Sequence, residues 1–466
     1  MEKILLLNPP GDKLYQRDLY CSNVSKANYY WPSIDLLIQS GILGRKYRID
    51  ILDAIVEKVK PEACRTRIKQ GNYKAVLFLT GTASWQQDFA FLARIKECGT
   101  GPLLIGNGDI LLYQAEEFLQ KYAFLDAVLL DYTTDDVVKF LEGRYAELEA
   151  MACRRDGRIE VRRTPPKGGE FSFPVPHHEK FPLAKYLLVQ GKRFPFTTVQ
   201  ASFGCPFQCS FCVASTLGYK YRSVDNVLEE LRHIRSLGIK EVFFMDFTFE
   251  ARRRNALALC QRMVKERLDL SWVCSSRAGT LDEELLTWMK RAGCHTLLLG
   301  VESGDEKLLE DYSKGVTKEQ MRRAFSLCRT LGIRTLGHFI IGLPGETEET
   351  AKKTIAFAKE LDCDIASFNI AVPVLGTPLR EAALRRGYLE DEGLVFDSSD
   401  AYPVLETPWF SKEQAWKWRK RAIRAFYFRP RYLWRLATQA RSLYQWKLLV
   451  LNGLALVRGL FSAGRS

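Results

Sequence analysis

The chain has 466 residues, 47% of them hydrophobic, and a formal net charge of +13, which excludes a largely disordered protein and leaves room for roughly two to three domains with cores of their own. The charge is concentrated: residues 411–466 hold thirteen Lys and Arg against the single acid Glu413, so the body of the chain is close to neutral and the basicity is a property of the tail. Twelve cysteines with neither a secretory leader nor a pairing pattern point to a reducing, cytoplasmic compartment and exclude a disulfide framework.

Over residues 1–145 apolar strand-like runs alternate with amphipathic patterns. Strands are predicted at 4–8, 48–53, 75–80, 102–106 and 126–131, and helices at 33–43, 86–98 and 111–122. Strands separated by helices imply an α/β domain with a parallel, doubly wound sheet of Rossmann or flavodoxin type. Such sheets bind ligands beyond the carboxyl ends of their strands. The residues at those ends include Asn8, Asp53, Thr80, Gly81, Ser84, Gly106, Gly108, Asp109 and Asp131, small or polar types that let a large ligand approach backbone.

Residues 146–195 read as a linker. Asp156-Gly157 between short alternating runs is a hairpin signal, and Pro165-Pro166-Lys167-Gly168-Gly169, followed by Pro174, Pro176 and Pro182, is extended chain. His177-His178 is expected on the surface, because adjacent side chains of an extended segment point to opposite sides and cannot share a metal. From 196 to 390 a strand-then-helix unit repeats six times, with strands at 197–203, 241–246, 271–275, 296–301, 335–341 and 367–372 and helices beginning near Val224, Asn255, Asp282, Lys318, Thr347 and Pro378. Six such units make a partial (β/α)6 barrel, whose reactive groups belong at the carboxyl ends of its strands.

The region 391–466 is basic and aromatic. Trp416, Ile423, Phe426 and Tyr427 fall on one helical face, Lys417, Lys420, Arg421 and Arg424 fall on another, and 448–457 is almost wholly apolar. Spanning a bilayer takes about 20 apolar residues, more than this run supplies. A cationic amphipathic helix of this kind fits a peripheral membrane anchor. A helical cap packed on the barrel is the competing reading, and RNA contact a third.

Directly after the first barrel strand, Cys205, Cys209 and Cys212 stand at C-x3-C-x2-C spacing. Three thiolates in one loop can hold three corners of a [4Fe–4S] cube and leave one iron open, whereas an electron-transfer cluster takes four cysteines. A structural zinc site would need a second cysteine pair or histidines at short spacing, and neither follows. The other nine cysteines are scattered and read as small buried hydrophobes.

The cysteine loop, with Phe211 before the third cysteine, resembles that of the radical S-adenosylmethionine (radical SAM) superfamily, in which the open iron takes the amino and carboxylate groups of SAM. The resemblance continues at later strand ends. It places Asp246, in Phe243-Phe244-Met245-Asp246-Phe247-Thr248, at the SAM amino group, although relatives often carry a second acid where Phe247 stands. It places Arg277 near the SAM carboxylate or ribose, Glu302, in Gly300-Val301-Glu302-Ser303-Gly304, at the ribose, and the backbone of Phe211, Ile340 and Gly342 near adenine.

A Rossmann-like domain ahead of such a core is similar to the cobalamin-binding domain of the B12-dependent radical SAM group. That similarity implies cobalamin at Asn8, Thr80, Gly81, Ser84, Gly106, Gly108 and Asp109. The D-x-H-x-x-G motif that supplies a histidine to cobalt is absent, no histidine precedes His177, and 131–135 does not match the group's Gly-Glu-Gly-Glu turn. By resemblance the chain is an enzyme that methylates an unactivated carbon of a lipid or natural product through a 5′-deoxyadenosyl radical, fed by a donor such as flavodoxin or ferredoxin. The alternatives are a cyclase, rearrangement or oxidative enzyme without methyl transfer, an RNA-modifying enzyme, and a non-catalytic cluster protein; for the N-terminal domain the lesser alternative is a flavodoxin-like lid or substrate platform that binds no cobalamin.

Overall fold

The computed structural model describes residues 1–19, 22–25, 29–96, 101–163, 168–389 and 404–439. Cys21, Cys98, Pro165, Pro166 and the apolar run 448–457 lie outside the described residues.

The runs Lys3–Asn8, Ala75–Leu79 and Leu103–Asn107 are buried almost end to end, as strands covered on both faces must be. With Arg48–Asp53 and Ala127–Leu129 they form a parallel array in the order second, first, third, fourth, fifth. Its topological switch point lies between the first and third strands. The fifth strand is shorter than expected because Asp131 leaves the ladder, accepting from Thr133 N at 2.9 Å and from Lys220 Nζ at 2.5 Å. The sheet then runs on into the stretch read as linker. Ala150–Arg155 and Arg158–Arg163 extend it in antiparallel fashion, joined through Asp156 (φ 47°) and Gly157 (φ 74°), the left-handed pair of a two-residue hairpin.

Six parallel strands, Phe196–Val199, Glu241–Phe244, Ser271–Ser276, Cys294–Glu302, Arg334–Ile341 and Ile365–Ile370, follow one another in sequence order. The expected strand 197–203 divides: Ser202–Gly204 peels away into a small sheet with Tyr219–Arg222 and Gly169–Phe171. Outward residues such as Phe244, Trp272, Leu297, Leu299, Phe339 and Phe368 pack on the helices in one core. The inward residues Phe243 and Val273 instead join the core of the N-terminal domain. One domain therefore roofs the inner face of the other.

His178 is not the surface residue expected. It is fully buried, with Nδ1 2.8 Å from Thr197 Oγ1 and Nε2 3.1 Å from Glu230 Oε1. Adjacent side chains do diverge, and His177 remains outside with Nδ1 3.0 Å from Glu179 Oε1; the inward one is simply satisfied by a buried carboxylate.

The helix Lys412–Tyr427 lies along the last barrel strand. It buries Ala415, Trp418, Ala422 and Phe426, a face rotated from the one expected, so that Trp416 and Ile423 are only partly covered. An edge strand presents unpaired backbone groups, and this segment supplies their partners. Tyr427 OH donates to Ala366 O at 2.8 Å and accepts from Ala366 N at 3.2 Å, Arg419 Nε donates to Phe368 O at 2.9 Å, and Arg435 Nη2 donates to Cys363 O at 2.9 Å. Part of the terminal basicity thus caps the barrel. Among the described residues no helix is long and apolar enough to cross a membrane.

Candidate active site at the barrel mouth

The cysteine loop begins where Gly204 (φ 71°) pairs with the strand opposite; a Cβ there would stand 1.8 Å from Gly218 O, so only glycine allows the pairing. Cys205 N then donates to Gly218 O at 3.2 Å, and Cys212 N donates to Cys209 O at 3.0 Å, a turn that gathers the thiols. The loop is strapped from two sides: Ser210 N donates to Tyr312 O at 3.1 Å and Leu379 N donates to Ser210 O at 3.0 Å. Phe211 packs against the Tyr312 ring at 6.3 Å. Burial pushes the Cys212 thiol up to about 12, with Cys209, Cys205 and Glu302 adding to the rise, and burial raises Cys205 as well. Closely set thiolates are stabilised by cationic partners.

Arg277 is one such partner. Its Nη1 lies 3.5 Å from Cys209 Sγ and its guanidinium 4.1 Å over the Phe207 ring. Its position is set by its own backbone, which donates to the buried Glu250 at 2.8 Å. Glu302 ends the fourth barrel strand with φ 67° at a register shift between Gly300 and Glu302. Its Oε1 is 2.8 Å from Lys314 Nζ in an almost completely buried ion pair. Lys314 was not legible as a site residue.

Ile340 is partly buried beside Leu308, Tyr312, Leu343 and Phe211. Gly342 (φ 93°) donates from its backbone N to Glu346, and a Cβ on it would approach Ala415 Cβ at 3.1 Å. The glycine therefore serves the turn and the seating of the C-terminal helix. Cys205, Cys209, Cys212, Phe211, Arg277, Glu302 and Ile340 lie together at the strand ends. Asp246 sits at the foot of the loop, accepting from Ser202 Oγ at 2.5 Å and Ala201 N at 3.2 Å, and burial pushes it up to about 6.

The carboxyl edge of the N-terminal sheet faces this mouth. Tyr132 OH donates to Gln200 Oε1 at 3.0 Å, Lys220 pairs with Asp131, and Trp31 stands edge-on to Phe243 at 5.5 Å. The ligand residues expected there are engaged by the chain itself. Arg17, fully buried, donates to Asn8 Oδ1 at 2.7 Å, to Ser84 Oγ at 2.9 Å and to Asp88, which also holds Thr80. Asp109 accepts from Thr82 N at 2.8 Å and Ser22 N at 2.9 Å; a Cβ on Gly81 would meet Ser22 and one on Gly108 would meet Thr80 O. Gly106 is hemmed in by Leu111 and Phe78. The unmet hydrogen-bonding capacity lies in their neighbours: Gln16 Oε1, Asn23 Oδ1, Asp35 Oδ1 and Asn107 Oδ1 are buried without a partner. Ser25 Oγ, Trp31 Nε1 and Ser33 Oγ, from the same stretch of chain, are unpartnered as well, so the set fits a ligand that offers both N–H donors and C=O acceptors, as amide groups do.

Residues 199–358 match the radical SAM superfamily. An uncharacterized methyltransferase of Pyrococcus horikoshii is 32% identical over 445 residues, covering 92% of this chain and 94% of that one. Among solved structures, the cobalamin-dependent S-adenosylmethionine radical enzyme OxsB, with aqua-cobalamin and S-adenosylmethionine bound, superposes with a TM-score of 0.71 at 14% identity over 99% of this chain and 72% of its own. The radical S-adenosylmethionine methyltransferase TsrM from Kitasatospora setae, with cobalamin and a [4Fe–4S] cluster, gives 0.65 at 17% identity over 83% and 75%.

Proposed function

The chain belongs to the radical SAM superfamily, and we propose that it is a cobalamin-dependent methyltransferase acting on an unactivated carbon of an apolar lipid or natural-product substrate. The observation that carries this reading is the roofed barrel: Phe243 and Val273 from its inner face belong to the N-terminal domain's core while the cysteine loop stands at the same mouth. Cys205, Cys209 and Cys212 would hold the cluster and leave one iron for SAM. A cluster held there would supply one-electron reductive cleavage of SAM, the chemistry that opens an unactivated C–H to substitution.

The chain's own residues would do the rest. Arg277 offsets negative charge at Cys209. Glu302 offers a carboxylate to ribose hydroxyls. Met245, Phe247 and Leu298, partly buried against the N-terminal core, give the inner face an apolar wall that keeps water from a radical. His338, Ser367 and Asn369, partly exposed on the neighbouring inner strands, make the opposite wall polar. A substrate with an apolar body and one polar group suits that division.

For cobalamin, the unpartnered side-chain oxygens of Gln16, Asn23, Asp35 and Asn107 would meet the amide groups of the corrin, with the strands Tyr15–Arg17 and Ser22–Val24 bordering it. Anaerobic purification with added cobalamin, followed by iron and corrinoid analysis, tests both cofactors at once. S-adenosylhomocysteine formed beside 5′-deoxyadenosine supports methyl transfer. 5′-Deoxyadenosine alone, from corrinoid-free protein, would make the chain a cyclisation or rearrangement enzyme instead.

A further inference from the structure

Lys314 is an unusual residue to find inside a barrel. Its side chain is 7% exposed, its partner Glu302 is 11% exposed, and their N···O distance is 2.8 Å. A buried ion pair is weak evidence for stability, since desolvating both charges offsets their attraction. Here the chain accepts further costs to form one. Glu302 adopts a left-handed φ of 67°, and Lys314 is flanked by two more left-handed residues, Ser313 (φ 53°) and Gly315 (φ 60°). Strain of this kind clusters where geometry serves function.

Two glycines make the room. A Cβ on Gly300 would stand 2.4 Å from Glu302 Oε1 and 2.7 Å from Lys314 Nζ, and a Cβ on Gly315 would stand 3.2 Å from Arg277 Nη2. The 313–315 turn therefore sits between the carboxylate and the guanidinium that reaches Cys209. It is itself held by Lys314 N donating to Leu309 O at 2.8 Å. The sequence places these groups twelve and more residues apart; only the fold brings them together.

We propose that Lys314 is a positioning residue of the SAM site: its ammonium fixes the Glu302 carboxylate through Oε1, holding Oε2 where the ribose hydroxyls of SAM arrive. This rests on the radical SAM reading above. Without the ammonium, Oε1 loses the partner that fixes it, and the carboxylate is free to rotate out of reach of ribose.

The test uses the full chain, reconstituted anaerobically, with SAM as the probe. Lys314→Met is expected to keep wild-type iron content and cluster absorption but to raise the SAM dissociation constant about tenfold. The KM for SAM in reductant-driven 5′-deoxyadenosine formation should rise in step while kcat changes less than about threefold. Lys314→Arg should recover most of the affinity. Glu302→Gln should match Lys314→Met, and the double variant should be no worse than either, because the two act as one unit. If Lys314→Met fails to fold, the arginine and glutamine variants still decide the matter. Unchanged SAM affinity in either Lys314→Met or Glu302→Gln with full iron, or additive losses in the double variant, overturns the assignment. A wild-type protein that takes up no cluster would instead overturn the radical SAM reading itself.

Discussion

The Arg277 guanidinium lies between the middle cysteine and an aromatic ring, 3.5 Å from Cys209 Sγ and 4.1 Å over Phe207. Its backbone is tied to Glu250, which is buried and also accepts from Thr280 Oγ1 at 2.6 Å. The cation is thus held at the thiols through its backbone, by a buried carboxylate, while its side chain makes no ion pair with an acid among the described residues.

Removing that charge should leave the cluster harder to reduce. Arg277→Met is expected to load iron normally and to show a more negative midpoint potential in an EPR-monitored redox titration, because a nearby positive charge favours the added electron. 5′-Deoxyadenosine formation should fall about tenfold or more. An unchanged potential would mean that the arginine acts on SAM alone.

The C-terminal helix should behave as part of the barrel. Tyr427 OH serves both backbone groups of Ala366, so Tyr427→Phe leaves a buried N–H and C=O unmet, at a cost of about 1–3 kcal/mol. A lower urea midpoint with unchanged cofactor loading is the expected result. A midpoint equal to wild type would show that water reaches the strand edge and the cap is dispensable.

Most of the scaffold was legible because it is local. Alternation of apolar runs located the strands, and one short loop carried all three cysteines. What escaped was carried by distant partners. Lys314 and Arg17 look like surface residues until Glu302 and Asp88 are brought to them. The helix Lys412–Tyr427 showed its amphipathicity, but the choice of Trp418 over Trp416 for burial depends on the edge strand it covers. The expected ligand residues of the N-terminal sheet were correctly placed at strand ends, yet Arg17 and Ser22, from the segment after the first strand, occupy Asn8, Ser84 and Asp109. No local pattern foretells that a loop folds back onto its own sheet.

Stability should fall as pH rises through neutrality. Burial pushes Glu346 from 4.5 up to about 8, only partly offset by the backbone N–H groups of Gly342 and Leu343. A carboxyl whose folded pKa lies above its unfolded one binds a proton in the native state that the unfolded chain has released. Its contribution is therefore fully present below the unfolded pKa and is lost as pH climbs through the folded one. Asp246, Asp53 and Asp109, each raised to about 6 by burial, act in the same sense at lower pH. Glu346→Gln removes one titrating group, so between pH 5 and 8, a window set by the Glu346 shift, its unfolding free energy from urea titrations should change less than that of wild type, by on the order of 1 kcal/mol or more. Parallel pH profiles for the two proteins would show that Glu346 ionises freely.

Two glycines four positions apart should separate binding from folding. A Cβ on Gly300 would meet only the tips of the Glu302 and Lys314 side chains, at 2.4 and 2.7 Å, whereas a Cβ on Gly304 would meet Lys353 O and C at 2.4 and 2.7 Å. Side-chain tips can swing aside; a helix backbone cannot. Gly300→Ala is therefore expected to fold, with a smaller loss of melting temperature than Gly304→Ala because its clash is relieved by side chains swinging apart, and to bind SAM about tenfold more weakly. Gly304→Ala should weigh the other way, prying the helix Glu348–Leu361 from the fourth strand end at a cost of about 1–3 kcal/mol of overpacking and affecting SAM affinity less. Thermal melts and equilibrium dialysis with SAM on both variants read the two effects independently. If Gly300→Ala leaves SAM affinity intact, whatever its melting temperature, the Glu302 and Lys314 pair is a structural strut and not part of the SAM site.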